Sequence, residues 1–389
     1  MTIWDRAPQD MEGASKKPPF LHSLDILRLI LALHILSSHI FPHFFESIGI
    51  PNWGVVLFAS SAGLSTQIFF VLSGFILMYN YQNKGHPWWK HFIYRMRKIW
   101  PTFVIPTTIA CLYFLTLNPN NYDNNLLQYQ WSEWRRSILL LEPWYFDKPV
   151  YNIAAWASSV FALGYLTVSC LGEKLLRFGQ KAWIPMALAI TASVGITLTF
   201  LLLNSNSLSG PYLPFKQYSS LESNFRHYPA YRYLEVLTGI FAGVWYRSNP
   251  ERWRMKSSTV GIALSIVLVA VTVVFCMWTP TSTFFVTHGL LLPAIVMLLC
   301  IYAADSKSLE KLGKTRFMRV GSEYSLAIFF IHWPLHRILE NIFSKFGQEN
   351  VETSLTYSCV YLICLTILIF PLKKSVDAIG KKIEASIKW

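Results

Sequence analysis

Charge is scarce in this chain. Asp, Glu, Lys and Arg make up 14% of its 389 residues, against roughly a quarter in a soluble domain, and several apolar runs exceed the ~18 residues that mark a membrane span. A soluble globular fold is therefore excluded. All six cysteines (Cys111, Cys170, Cys276, Cys300, Cys359 and Cys364) fall inside apolar runs and no C-x-x-C pair occurs, so neither disulfides nor a zinc site is expected. There is no glycine-rich phosphate loop, no internal repeat and no low-complexity tract. The opening segment, Met1 to Ser23, is polar and of mixed charge, without the short apolar core and small-residue cleavage site of a removable leader. The first apolar run is thus expected to be a retained span.

Apolar residues, by contrast, make up 53% of the chain. Polar text rich in charge, Pro, Asn or Gly divides them into ten expected spans, at 24–45, 55–81, 101–118, 150–172, 183–204, 232–246, 259–279, 283–303, 321–337 and 354–370. The sixth is short and is expected to begin nearer Tyr228. With the N-terminus inside, the inner segments hold 25 of the 34 Lys and Arg and the outer segments 6. That bias follows the positive-inside rule and puts both termini in the cytoplasm. It also accounts for the net charge of +13 without nucleic-acid binding. Trp88, Trp89, Trp100, Trp131, Trp134, Trp144, Trp245 and Trp253 lie near span ends, as in an interfacial belt. The expected fold class is an all-α polytopic bundle of about ten transmembrane helices. It divides into a cytoplasmic segment 1–23, a transmembrane domain 24–370 and a basic cytoplasmic tail 371–389.

Polar groups inside spans are costly and point to function. Arg28 and His39 are eleven residues apart on one helix face, about 16 Å along the axis. They mark two ends of one internal path. With alternating spans, Asp25 and Arg28 lie near the cytoplasmic face, while His39, Arg232, Glu235 and His332 fall at one depth in the outer half. Each has a plainer reading: Arg28 as a snorkelling anchor, His39 as an interhelical structural histidine, Arg232 and Glu235 as a surface ion pair, and His332 as interfacial packing beside Trp333 and Pro334. His34 points elsewhere, and His43 reads as interfacial. A desolvated neutral histidine suits a general base for a hydroxyl, with a neighbouring carboxylate to orient it. Proton-coupled transport would use the same groups, and periodicity does not separate the two.

These residues resemble the acyltransferase-3 family of membrane acyltransferases, which modify sugars and peptidoglycan. Leu24-Asp25-Ile26-Leu27-Arg28 with His39 is similar to the family's opening text. Phe69-Phe70-Val71-Leu72-Ser73-Gly74-Phe75 is close to its second-span phrase, and on physical grounds Ser73-Gly74 marks a close helix contact. Arg95-Met96-Arg97-Lys98-Ile99-Trp100-Pro101 resembles its Arg-x-x-Arg-Ile-x-Pro, with Lys98 replacing the second Arg and losing its bidentate fork. Pro229, Arg232, Glu235 and Gly239 look like a further motif. Gly321, Ser325 and Ile331-His332-Trp333-Pro334 look like the late ones. Two positions depart: Phe161 stands where many members have Glu, and Gln67 where many have Asp.

The resemblance implies transfer of an acyl group, most often acetyl, from cytoplasmic acyl-coenzyme A to an acceptor hydroxyl. It implies catalytic roles for His39, Glu235 and His332, donor binding by Arg28, Ser73, Arg95 and Lys98, and acceptor binding by Arg232 and Asp25. Acetyl-CoA would be a donor substrate, with no tightly bound cofactor and no metal. The implied acceptor is a glycan or lipid-linked saccharide at a bacterial inner membrane, with polysaccharide-assembly proteins as further partners. The outer loops 119–149 and 205–231, rich in Trp, Tyr, Asn and Gln, suit sugar contacts. The chain carries no soluble hydrolase-like domain after the last span, so direct transfer, or handover to a separate partner, is expected.

Overall fold

The computed structural model describes residues 18–51, 61–82, 85–117, 124–145, 151–203, 227–254, 286–304, 308–346 and 355–387, with a few positions between them. Every regular element among them is helical. The long ones are α1 (His22–Ile40), α2 (Ala62–Tyr79), α3 (Trp88–Leu117), α4 (Asn124–Ile138), α5 (Trp156–Leu176), α6 (Trp183–Leu203), α7 (Pro229–Ser248), α8 (Leu292–Ala304), α9 (Arg316–Lys345) and α10 (Leu355–Ile387). Among the described residues, the helices of α1, α2, α3, α5, α6 and α10 are long and apolar enough to cross a membrane. α8 is apolar but shorter, while α7 carries the buried Arg232 and Glu235 and α9 the buried His332 and His336. The chain is an all-α, multi-pass membrane protein. Most of the expected span 259–279 lies outside the described residues.

Span limits differ from expectation where proline was taken as punctuation. α3 runs through Pro101 and Pro106, and α10 through Pro371 to Ile387, because membrane helices can re-satisfy the carbonyls that proline strands. One residue past each proline, the Thr102 and Thr107 hydroxyls bond back to the Lys98 and Phe103 carbonyls, next to those that Pro101 and Pro106 leave without an N–H. Span six does begin early: Tyr228 is extended and Pro229 opens α7 at a position where its missing N–H costs nothing. α4 lies in what reads as an outer loop. It packs along α3, with Trp134 Nε1 donating to Thr108 Oγ1 at 3.0 Å and Trp100 Nε1 to the Ile138 carbonyl at 2.9 Å. Residues 119–123, 146–149, 205–224 and 226 of the expected sugar-binding loops fall outside the described residues.

Glycine sets the closest contact in the bundle. A Cβ on Gly74 would sit 2.1 Å from the Val236 carbonyl oxygen, and one on Gly239 would sit 2.0 Å from that of Val71. α2 and α7 therefore pack backbone to backbone, as the Ser73-Gly74 pair suggests. They run parallel, since Gln67 faces Glu235 at one end and Arg247 reaches the Tyr81 carbonyl at 2.6 Å at the other. α1 runs antiparallel to α2: His34 meets Ser65, while Pro19, just before α1, accepts from the Tyr79 hydroxyl. α1 and α9 lie side by side and parallel, Arg28 beside Ser322 and His39 beside His332. The alternation of directions is the one the span order requires. Leu188, Leu202 and Leu203 on α6, and Ile363 and Ile367 on α10, are exposed and form a lipid-facing surface.

Before α8 the chain breaks its helix at His288 and Gly289, whose φ of +149° only glycine readily adopts. The His288 carbonyl, freed by that break, accepts from Thr197 and Tyr231 hydroxyls at 2.7 Å each, and from Ser193 at 3.3 Å. Irregular backbone is tolerated at this depth because it is buried in protein and paired.

Candidate active site

The α1–α9 pair carries a polar group at each end. At the first end Asp25, one turn before Arg28, is 3% exposed. Arg28 Nη1 donates to Asp25 Oδ1 and to Ser322 Oγ at 3.1 Å each, and Ser322 Oγ donates to the same Asp25 oxygen at 2.9 Å. Asp25 is thus satisfied, and Arg28 keeps donors to spare on a side chain 30% exposed. Arg95 of α3 makes no hydrogen bond or ion pair among the described residues, and both it and Arg28 act electrostatically on Tyr165 of α5. Arg95 therefore keeps its guanidinium uncommitted among the described residues. Lys98 is exposed nearby along α3. Arg97, between them, is turned away and bound to Glu384 of α10 at 2.5 Å. Ser73 spends its hydroxyl on the Phe69 carbonyl at 2.7 Å.

At the other end His39 stacks on His332, ring centroids 5.5 Å apart and planes 21° from parallel. Stacked rings do not share a proton through a hydrogen bond, so each nitrogen set is determined separately. His332 Nδ1 lies 2.7 Å from the Phe329 carbonyl. A carbonyl only accepts, so that nitrogen carries the hydrogen and Nε2 holds the lone pair. Nε2 is buried and has no partner among the described residues. The Tyr361 hydroxyl holds the His332 carbonyl at 3.1 Å, fixing the helix behind the ring. His39 is different: it is exposed, although Ala32, Ile35 and Leu36, one to two turns earlier, are 0%, 2% and 3% exposed. Its ring nitrogens have no hydrogen bond among the described residues.

Arg232 and Glu235 form an ion pair at 2.9 Å, but they are 2% and 1% exposed, so this is no surface pair. The guanidinium lies over the rings of Phe70 and Trp156, at 5.2 and 5.6 Å. Glu235 Oε1 also accepts from Gln67 Nε2 at 3.4 Å, while Glu235 Oε2, Gln67 Oε1 and Arg232 Nε are buried without partners among the described residues. Glu235 therefore pairs with Arg232 and Gln67 rather than orienting a histidine. A common depth did not mean a common contact. The Phe69–Phe329 stack, 5.6 Å between centroids, is attached to both clusters: Phe329 lies 6.1 Å from the His332 ring, and Phe69 precedes Phe70. Phe161, where many relatives have Glu, packs on Phe69 and Phe70 at 5.9 and 5.3 Å. Phe161 and the Arg232 guanidinium thus share Phe70 as a neighbour.

Three polar residues of these clusters carry weak sequence signals. Ser322 follows the Gly321 of a quoted motif, yet only packing brings it to Asp25. Tyr165 is one of 19 tyrosines and sits mid-span. His34 is turned from the Arg28 face, toward α2.

No metal-holding group of three or more His, Cys, Asp or Glu occurs among the described residues. No curated protein and no solved structure matches the chain. The acyltransferase-3 family model, described as an acyltransferase domain, matches residues 21–373. That stretch contains both ends of the α1–α9 pair and the Arg232–Glu235 cluster, and the chain belongs to the acyltransferase-3 family of membrane acyltransferases.

Proposed function

We propose that this acyltransferase moves an acyl group, acetyl in the simplest case, from cytoplasmic acyl-coenzyme A to a hydroxyl of a glycan or lipid-linked saccharide on the far side of a bacterial inner membrane. The observation that carries this reading is the pairing of α1 with α9, which sets Asp25, Arg28 and Ser322 at one end and His39 on His332 at the other. The positive-inside bias assigns the Arg28 end to the cytoplasm, with both termini. There Arg28 and Arg95, with Lys98, hold the donor's phosphates. The acyl group travels from the Arg28 end of α1 toward His39. His39, the accessible ring of the stacked pair, takes the acceptor's hydroxyl proton, and the His332 Nε2 lone pair accepts a hydrogen bond from the same substrate. Arg232, Glu235 and Gln67, with partnerless buried atoms, orient the acceptor's other hydroxyls. Membership of an acyltransferase family favours this chemistry over proton-coupled transport.

The test is transfer of labelled acetyl from acetyl-coenzyme A to a membrane glycan fraction by purified protein, with no ion gradient. Wild type should transfer, and His39→Ala should fold and insert but lose about 10²–10⁴-fold in rate. Wild-type transfer rates in a stably expressed His39→Ala variant would rule out the base.

A further inference from the structure

His34 and Ser65 form a second hydroxyl–imidazole pair that the proposed mechanism leaves unused. Ser65 Oγ lies 2.6 Å from His34 Nδ1, and Ser61 Oγ lies 3.1 Å from His34 Nε2. The tautomer follows from one further contact. Ser61 Oγ is also 2.8 Å from the Phe58 carbonyl, which only accepts; with the Ser61 hydrogen on that carbonyl its oxygen accepts from His34, and Nε2 carries the imidazole hydrogen. Nδ1 then holds a lone pair and receives the Ser65 O–H. This is a nucleophile held by a base that is itself oriented by a third group. Ser65 also differs from its neighbours. Thr66 and Ser73 of the same helix give their hydroxyls to the carbonyls of Ala62 and Phe69, the usual fate in a membrane helix, whereas the Ser65 hydroxyl is paired with the His34 ring.

The pair is placed beside the candidate site. Ser65 lies one turn from Phe69 on the same face of α2, toward the end where α1 carries His39. His332 lies one turn beyond Phe329 on α9 in the same direction. The Phe69–Phe329 stack is therefore a floor, with Ser65–His34 and His39–His332 on the same side of it, His34 lying five residues before His39 on α1. Ser65 is 6% exposed, so water competes poorly for anything bound there.

We propose that Ser65 is an acyl-carrying nucleophile, so that transfer runs as a double displacement through acyl-Ser65. This rests on the acyl-transfer reading above. In the first half, Ser65 Oγ bonds to the thioester carbonyl carbon as its proton passes to His34 Nδ1. The C–S bond breaks, and the departing thiolate takes that proton to leave as free thiol. In the second half, the acceptor hydroxyl attacks the Ser65 ester as its proton passes to His39, and the bond between Ser65 Oγ and the acyl carbon breaks. His39, being exposed, releases the proton to water, and the Ser65 oxygen regains one from water by way of His34. Two hydroxyls react in turn, and each has its own histidine. A purely structural Ser65–His34 bond would instead be an interhelical tie with no part in exchange.

The experiment uses the full chain in detergent or liposomes with acetyl-coenzyme A and no acceptor. Wild type should exchange labelled free coenzyme A into acetyl-coenzyme A, and acid-quenched protein should carry acetyl on the peptide containing Ser65. Ser65→Ala should lose exchange, label and transfer while keeping its melting temperature. Ser65→Cys should keep the label as a thioester that neutral hydroxylamine cleaves, which separates chemistry from folding. His34→Gln should slow exchange more than it alters the affinity for acetyl-coenzyme A. Transfer to acceptor without exchange or label, at full rate in Ser65→Ala, would overturn the covalent step and leave acyl transfer standing. Wild-type protein that moves no acetyl from coenzyme A at all would overturn the donor reading and this step together.

Discussion

The Asn152 side-chain amide donates to the Phe330 carbonyl at 3.0 Å, the carbonyl that Pro334, four residues on, cannot pair because it has no N–H. The same amide reaches Thr107 Oγ1 of α3 at 3.2 Å, and its oxygen accepts from the Ala154 N–H at 3.1 Å. One buried residue thus ties α3, α9 and the entry to α5 just below the His332 ring. Asn152→Ala leaves a buried carbonyl unsatisfied and should cost about 1–3 kcal/mol, read as a lower melting temperature in detergent. Pro334→Ala in that background supplies the missing N–H and should return part of the loss. If the second change adds its own full penalty, the proline carbonyl is not what Asn152 serves.

The α2–α7 crossing gives a sharper contrast. Gly239→Ala forces a methyl group against the Val71 carbonyl and should prevent the two helices from closing, seen as aggregation or loss of the monodisperse protein. Gly195→Ala on α6 meets nothing within 4 Å and should be neutral or stabilising by roughly 0.5–1 kcal/mol. Equal behaviour of the two variants would show that the crossing is looser than its backbone contacts indicate.

The Arg232–Glu235 pair should respond differently to single and double change. Glu235→Leu strands a buried guanidinium and should cost about 3–5 kcal/mol, whereas Arg232→Met with Glu235→Leu should recover most of it. Acyl transfer should fail in both, because the acceptor loses its polar contacts. A double variant that is stable and fully active would reduce the pair to packing.

What the sequence disclosed and withheld divides along physical lines. Spacing along one helix is local, so Arg28 and His39 on one face of α1, Gly74 at a close contact and Pro229 at a helix start were all legible. Rotation around the bundle is not local. Glu235 shares a depth with the histidines, yet α7 turns it to Gln67 and Arg232. His34 does point away from the Arg28 face, but toward Ser65 of α2, which no periodicity on α1 discloses. α4 was obscured by its polar composition, although Leu127, Trp131, Trp134 and Ile138 recur at helical spacing. Proline hid the true lengths of α3 and α10, because tertiary contacts there override its role as a helix breaker.

Arg28 should act on the donor and not on the acceptor. Its carboxylate partner Asp25 is already paired with Ser322, so Arg28→Ala leaves that carboxylate hydrogen-bonded and mainly removes donors from the Arg95–Tyr165 side. Losing a charged phosphate contact costs about 1.5–3 kcal/mol, or roughly 10- to 150-fold in acyl-coenzyme A affinity. The Michaelis constant for the donor should rise by that factor while the one for the acceptor stays put. Arg28→Lys should recover only part, since a point charge cannot hold Asp25, Ser322 and a phosphate at once. Unchanged coenzyme A binding in Arg28→Ala would make the Asp25–Arg28–Ser322 triangle a helix tie between α1 and α9, and the path from that end to His39 would lose its anchor.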